Sequence, residues 1–208
     1  MDTSFTMDAS SLPTDAAEHR QRLFIGMAQA VTAKGYGDCT IADIVREACV
    51  SRRTFYEHFA TKAECLIALY ESASRNALNA LRSSLDPHRG WQSQVEDAMV
   101  AYLNCLENNP LLMRTLFVEI LGLGAPGLAA RRRVNQEIAD FMCKVINADE
   151  RQDVLDPEMA MAVVGGVNEL ALQLIEQDRV QDLKLVAATA GALLRAVVGT
   201  QAPSAPLQ

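Results

Sequence analysis

Thr40-Ile-Ala-Asp-Ile-Val-Arg-Glu-Ala-Cys-Val-Ser-Arg-Arg-Thr-Phe-Tyr-Glu-His-Phe59 contains two helix entries, one at Thr40 and one at Ser51. The Thr40 hydroxyl can cap a helix, and Asp43 stands three residues on, as a capping box requires. The Ser51 hydroxyl can accept the amide of Arg53 or Thr54 at the start of a second helix. Ala48-Cys49-Val50 between them is long enough for a helix-turn-helix corner. Ile41, Ile44 and Val45 form an inward stripe on the first helix, and Phe55 and Phe59 sit four apart on the second. The two helices therefore face each other with their apolar sides and leave Arg52, Arg53, Thr54, Tyr56 and His58 outside. Arginine forks can read guanine edges, while hydroxyls, tyrosine and histidine can hold phosphates.

The flanks extend the pattern. Arg22 to Lys34 carries Phe24, Met27, Ala28 and Val31 on one face and is stopped by Gly35, a residue suited to a left-handed cap. Thr61 and Glu64 form another capping box, with Lys62 in the first turn of a long helix. This order, over roughly residues 18 to 69, resembles the DNA-binding domain of the tetracycline-repressor (TetR) family of bacterial transcription regulators. The resemblance rests on Ala30, Gly35-Tyr36, Thr40, Ile44, Ala48, Val50-Ser51, Thr54-Phe55-Tyr56, His58-Phe59, Lys62 and Leu66. Cys49 departs from it, because the family usually has glycine in the turn. A cysteine takes that backbone conformation only at a steric cost, so a slightly opened or strained corner is expected.

By resemblance, Tyr56, His58 and Lys62 match positions that touch the DNA backbone, with Thr40 and Ser51 doing so through hydroxyls or helix N-termini. Arg52 and Arg53 open the recognition helix and are the candidates for base or phosphate contact. Thr54 and Glu57 are lesser base-contact candidates, since a carboxylate suits only a cytosine amino group.

A chain of 208 residues, half of them apolar, has room for a small DNA-binding domain and a larger one. Its net charge of −7 is unusual for a DNA binder. Arg46 to Lys62, however, carries Arg46, Arg52, Arg53 and Lys62 against Glu47 and Glu57, a surplus of two positive charges. The acidic remainder repels nucleic acid except at this face. Five cysteines without a CxxC pair argue for a reducing cytoplasm over a secreted disulfide framework. The N-terminus lacks the blocks of a signal peptide. The longest charge-free stretches within the helical body are about ten residues, short of the roughly 20 that span a bilayer, so no membrane partner is expected.

The expected fold class is all-α. An N-terminal arm (1–17) precedes a three-helix helix-turn-helix domain (18–65), a larger helical effector-binding and dimerisation domain (66–199) and a disordered tail (200–208). Helices are expected over roughly 62–84, 91–108, 111–121, 127–148, 157–178 and 182–198, with no strand alternation. Asp156-Pro157-Glu158 is an N-cap, a first-turn proline and an acidic first turn in succession. The last two helices are apolar nearly all round, which suits burial on two sides. In the family resembled, these helices form a four-helix dimer interface. Here that assigns Met161, Val164, Gly165, Leu172, Ala190, Leu194 and Val197 to a homodimer contact.

The family also places a small-molecule pocket among the helices from about 91 to 178. Trp91, Tyr102, Met113, Phe117, Phe141 and Met142 supply apolar and aromatic surface there, suited to a hydrophobic effector. No cofactor and no metal site is expected, since His19, His58 and His88 share no ligand spacing. Gly122-Leu-Gly-Ala-Pro-Gly127 satisfies GxGxxG but follows a helical run and contains Pro126, so it reads as a helix-to-helix loop. Arg131-Arg132-Arg133 reads as a solvated face. No nucleophile-base set or phosphate loop supports an enzyme or a carrier. The expected function is a homodimeric, cytoplasmic repressor released from a palindromic DNA operator by a small effector, with an activator of the same fold as the alternative.

Overall fold

The computed structural model describes residues 14–86, 88, 90, 93–94, 97, 100–102, 104, 113, 115–148 and 155–201. Among these residues there is no strand. The helices are α1 (Thr14–Asp38), α2 (Ile41–Glu47), α3 (Arg52–His58), α4 (Lys62–Ser83), α5 (Ala125–Ile146), α6 (Pro157–Glu176) and α7 (Leu183–Gln201). Helix α1 starts at Thr14, inside the segment expected to be an arm, and breaks at Gly35, whose φ of 76° only glycine adopts freely. Residues 1–13 and 202–208 lie outside the described residues, as do Trp91, Cys105 and much of the helix expected over 91–108.

The chain forms two compact units. The first comprises residues 1–76 and 109–131, the second 77–108 and 132–208. The core of the first unit is built by the sequence stripes noted above: Phe24, Met27, Ala28 and Val31 of α1, Ile44 of α2, Phe55 and Phe59, then Leu66 and Leu69 of α4. Phe55 and Ile44 are fully buried, while Ile41 and Val45 are only partly buried against the cluster. Helices α1 and α2 cross closely at Gly26, where an added Cβ would lie 2.5 Å from the Ile44 carbonyl oxygen and 2.7 Å from the Ala48 nitrogen.

The segment after residue 113 departs from the single helix expected over 111–121. It is a π-helical turn, Thr115–Glu119, followed by a 3-10 turn, Leu121–Leu123. The Gly122–Gly127 motif forms no phosphate loop. Gly124 turns the chain at φ 66°, α5 begins at Ala125, and Gly127 packs so tightly that a Cβ would collide with the Ile120 carbonyl.

In the second unit, Asp156 caps α6 by accepting the Met159 amide, with Pro157 in the first turn. Helix α6 is 20 residues long and has a mean hydropathy of 1.3 over its most apolar window. In length and composition it could cross a bilayer, although its charge-free run is shorter. Here it buries Ala160, Val163, Val164, Val167, Ala171 and Ile175 on protein. Helix α7 presents Leu183, Val186, Ala190, Leu194 and Val198 as its inner stripe.

Candidate functional site

Local hydrogen bonds define the corner between α2 and α3. The Thr40 hydroxyl accepts the Asp43 amide at 3.2 Å, and the Asp43 carboxylate takes the Thr40 amide at 3.0 Å and its hydroxyl proton at 2.6 Å. Lys34 at 2.7 Å and Arg46 at 3.2 Å complete the shell around Asp43. The hydrogen bonds from Lys34 and Thr40 hold this carboxyl far below the usual carboxylate range. Thr40 is thus turned toward its own cap, and its amide and hydroxyl proton are already committed.

Ser51 caps α3 by accepting the Thr54 amide at 2.9 Å, and its hydroxyl also bonds the Thr54 hydroxyl at 2.8 Å. Between the caps, Cys49 adopts φ 50°, the left-handed conformation that glycine accommodates without strain. Arg22 of α1 compensates. Its Nε donates to the Ala48 carbonyl at 3.0 Å and its Nη2 donates to the Cys49 carbonyl. The composition of the corner alone did not reveal this clamp, because Arg22 lies 27 residues from Cys49.

Helix α3 presents Arg52, Arg53 and Tyr56 to solvent, with Tyr56 53% exposed. Arg53 pairs with Glu57 at 3.0 Å, while Arg52 makes no ion pair among the described residues. Glu57 therefore tethers a cation on the exposed face. Thr54 and His58 are partly buried. His58 meets the His19 ring edge-on at 6.5 Å, and burial, Arg20 and His19 lower its pKa. An uncharged His58 at neutral pH can offer a phosphate a hydrogen bond but no charge.

Lys62 is placed differently from the backbone contact that the resemblance implies. Its ammonium donates to the carbonyl oxygens of Cys39 at 2.6 Å, Tyr36 at 2.7 Å and Gly37 at 3.4 Å, and it lies 4.2 Å from the Tyr36 ring centroid. Three N–H donors meet three carbonyls of the end of α1 and the residue after it, so Lys62 anchors the connection between α1 and α2. The second capping box is also shifted: Glu64 gives its amide to Thr61 but takes the amide of Ala60.

The family model for bacterial regulatory proteins of the tetR family matches residues 28–69, the segment that holds this corner. The regulator SrpR of Pseudomonas putida, a helix-turn-helix transcriptional regulator, is 30% identical over 154 residues, covering 73% of this chain and 68% of SrpR. The chain belongs to the tetR family. It is a transcriptional regulator with a DNA-binding helix-turn-helix. The helix-turn-helix transcriptional activator FasR of Mycolicibacterium smegmatis is 26% identical over 66% of this chain and 62% of its own length. Another curated regulator aligns over 20% of its length. At the level of fold, the regulator FadR of Bacillus subtilis, solved in complex with stearoyl-CoA, is similar with a TM-score of 0.69. The sequence identity is 16%, over 86% of this chain and 97% of that one.

The second unit of this tetR-family chain contains a cavity of about 60 Å³ whose exposed wall surface is apolar. On the same measure a single water needs about 10 to 15 Å³. Tyr102, Phe141 and Met142, three of the residues expected at a pocket, line it. Leu81, Leu85 and Ile138 line it as well. They went unnoticed because an apolar residue at helical spacing looks the same whether it faces core or cavity. Met113 and Phe117 belong to the first unit and are not part of this lining, Met113 being fully buried. Trp91 lies outside the described residues. Asn168 also borders the cavity, but its amide nitrogen donates to Asn135 Oδ1 at 3.0 Å.

The residues assigned to a dimer contact divide by burial. Val164, Ala190 and Leu194 are buried within the protomer, and Val164 lines the cavity, which leaves them little surface for a partner. Met161, Gly165, Leu172 and Val197 are partly exposed. Met159 at 38%, Leu193 at 39% and Leu185 at 59% are the large apolar side chains of α6 and α7 that face solvent.

Proposed function

We propose that this regulator is a homodimeric, cytoplasmic repressor that releases a palindromic operator when a small hydrophobic effector occupies the cavity of the second unit. The observation carrying this reading is the pairing, in one chain, of an exposed arginine-bearing recognition helix with a cavity whose exposed wall surface is apolar. Residues 18–65 would read DNA and residues 66–199 would bind the effector and pair the protomers. Arg52, with no competing ion pair among the described residues, and Arg53 would contact bases or phosphates. Ser51, Tyr56 and His58 would hold the backbone, along with Thr40 through its helix N-terminus, and Thr54 would be a lesser base contact. In a dimer, two copies of α3 would enter successive major grooves about 34 to 36 Å apart. An effector with different affinities for the two conformations shifts the balance, typically by about 1 to 3 kcal/mol of coupling. A fold neighbour solved in complex with stearoyl-CoA supports the reading that this regulator takes a ligand. The activator FasR keeps the opposite regulatory sign as the second reading.

Two experiments test these proposals. Arg52→Ala is expected to weaken operator binding by about 1 to 3 kcal/mol and to relax the preference at one base position; unchanged affinity and preference would remove Arg52 from the interface. For the dimer, sedimentation of the full chain at micromolar concentration is expected to give twice the protomer mass, and Leu185→Glu with Leu193→Glu to give a folded monomer. A monomeric parent chain would overturn the paired reading.

A further inference from the structure

The cavity's chemistry and one residue at its edge together define a ligand class, on the reading that this cavity is the effector site. No carboxylate is among the described lining residues, so a cationic ligand would find no counter-charge there. Asn168, the one amide in the lining, adds no polar surface and is tied to Asn135. The enclosed part of the ligand must therefore be hydrocarbon. The enclosed space of about 60 Å³ equals roughly four to six waters, which excludes a polycyclic molecule and suits the end of a flexible chain.

Arg82 lies on α4 between Leu81 and Leu85, both of which line the cavity. Its guanidinium carbon sits 5.7 Å from the ring centroid of Phe141, another part of the wall. The side chain is exposed, and its one hydrogen bond among the described residues is a long 3.4 Å contact to Asn79 Oδ1. No carboxylate among the described residues lies within ion-pairing distance of it. An apolar cavity with a ring-stacked guanidinium at its edge that has no carboxylate partner among the described residues matches a molecule with an alkyl tail and an anionic head. Arginine suits such a head because its fork can meet two oxygens at once.

We infer that the cavity binds a straight-chain amphiphile of medium length whose tail enters the cavity and whose anionic head meets Arg82. The head can be a free carboxylate or the phosphates of a coenzyme thioester, which share the acyl tail and the negative charge.

Calorimetric titration of the full chain with octanoate, octanol, octyltrimethylammonium and octanoyl-coenzyme A tests the assignment. Octanoate or its thioester is expected to bind at least tenfold more tightly than octanol, and the ammonium compound more weakly than both. The tighter of the two anions identifies the head. Arg82→Gln is expected to reduce the anion to the level of octanol, and Arg82→Lys to restore part of the preference. Val164→Phe, which fills the cavity, is expected to abolish binding of all four. Octanol binding as tightly as the tighter of the two anions, an unaltered preference in Arg82→Gln, or binding that survives Val164→Phe would overturn the inference. Operator affinity is measured alongside. An anion that binds as expected but leaves operator affinity unchanged supports the ligand assignment and defeats the effector reading. An octanol that binds as well as the anions and releases the operator does the reverse.

Discussion

At the scale of single residues, Cys49 and Lys62 show how a small change in the corner is absorbed. Cys49 holds φ 50°, a conformation that costs an L-residue about 1 to 2 kcal/mol, and Arg22 grips the carbonyls of Ala48 and Cys49 beside it. Cys49→Gly is expected to raise stability by up to about 1 kcal/mol, and Arg22→Ala to lower it by about 1.5 to 3 kcal/mol. The double variant should lose less than the sum, because a relaxed turn needs the clamp less. Denaturant titration of the four proteins measures that coupling, and strict additivity would separate the two residues. The strain at Cys49 was legible from sequence because one position departs from a family pattern. Its remedy was not, since nothing in the local pattern announces a partner 27 residues away. The carbonyl contacts of Lys62 were not legible for a related reason: a lysine in a first turn looks the same whether it faces phosphate or backbone carbonyls. Lys62→Met is expected to lower the unfolding midpoint while leaving the salt dependence of DNA binding intact. A phosphate contact would instead reduce the slope of log affinity against log salt by about one.

At the scale of elements, the helix caps were the most legible features, because a cap depends on three or four consecutive residues. Thr40 with Asp43, Ser51 with Thr54, and Asp156 with Met159 all formed as the spacing requires. Contacts between helices were less legible. Gly26 reads as an ordinary helix glycine, yet it lets α1 approach α2 to within backbone contact. Gly26→Ala is expected to cost about 1 to 3 kcal/mol through overpacking, and an unchanged melting temperature would contradict that crossing. Helix α3 also carries a pH dependence. Burial, Arg20 and His19 lower the His58 pKa below its usual 6.5, with Glu57 opposing. The unfolded chain therefore binds the His58 proton more readily. This contribution to stability is complete above about pH 6.5 and falls as the pH drops through the lower folded value. Thermal unfolding from pH 7.5 to 5.5 should show a steeper loss in the parent chain than in His58→Gln, and parallel curves would contradict it.

At the scale of the whole molecule, the acidic chain of net charge −7 keeps its positive surplus near the recognition helix. The all-helical class followed from 3.6-residue periodicity, which is strong over long helices. The π and 3-10 turns at Thr115–Leu123 escaped it, because three or five residues leave no period to detect. The cavity was half legible: aromatic and methionine positions marked Tyr102, Phe141 and Met142, but whether an apolar side chain meets a neighbour or a void is decided by packing between helices. The central claim is that two copies of the corner read DNA together and let go when the cavity fills. Selection of bound sequences from a random duplex pool, with and without the effector candidates, measures this most directly. A palindromic consensus is expected, with half-sites about one helical turn apart and an enrichment that collapses when the cavity is occupied. A pool that stays random, or an enriched half-site without a partner, would contradict it.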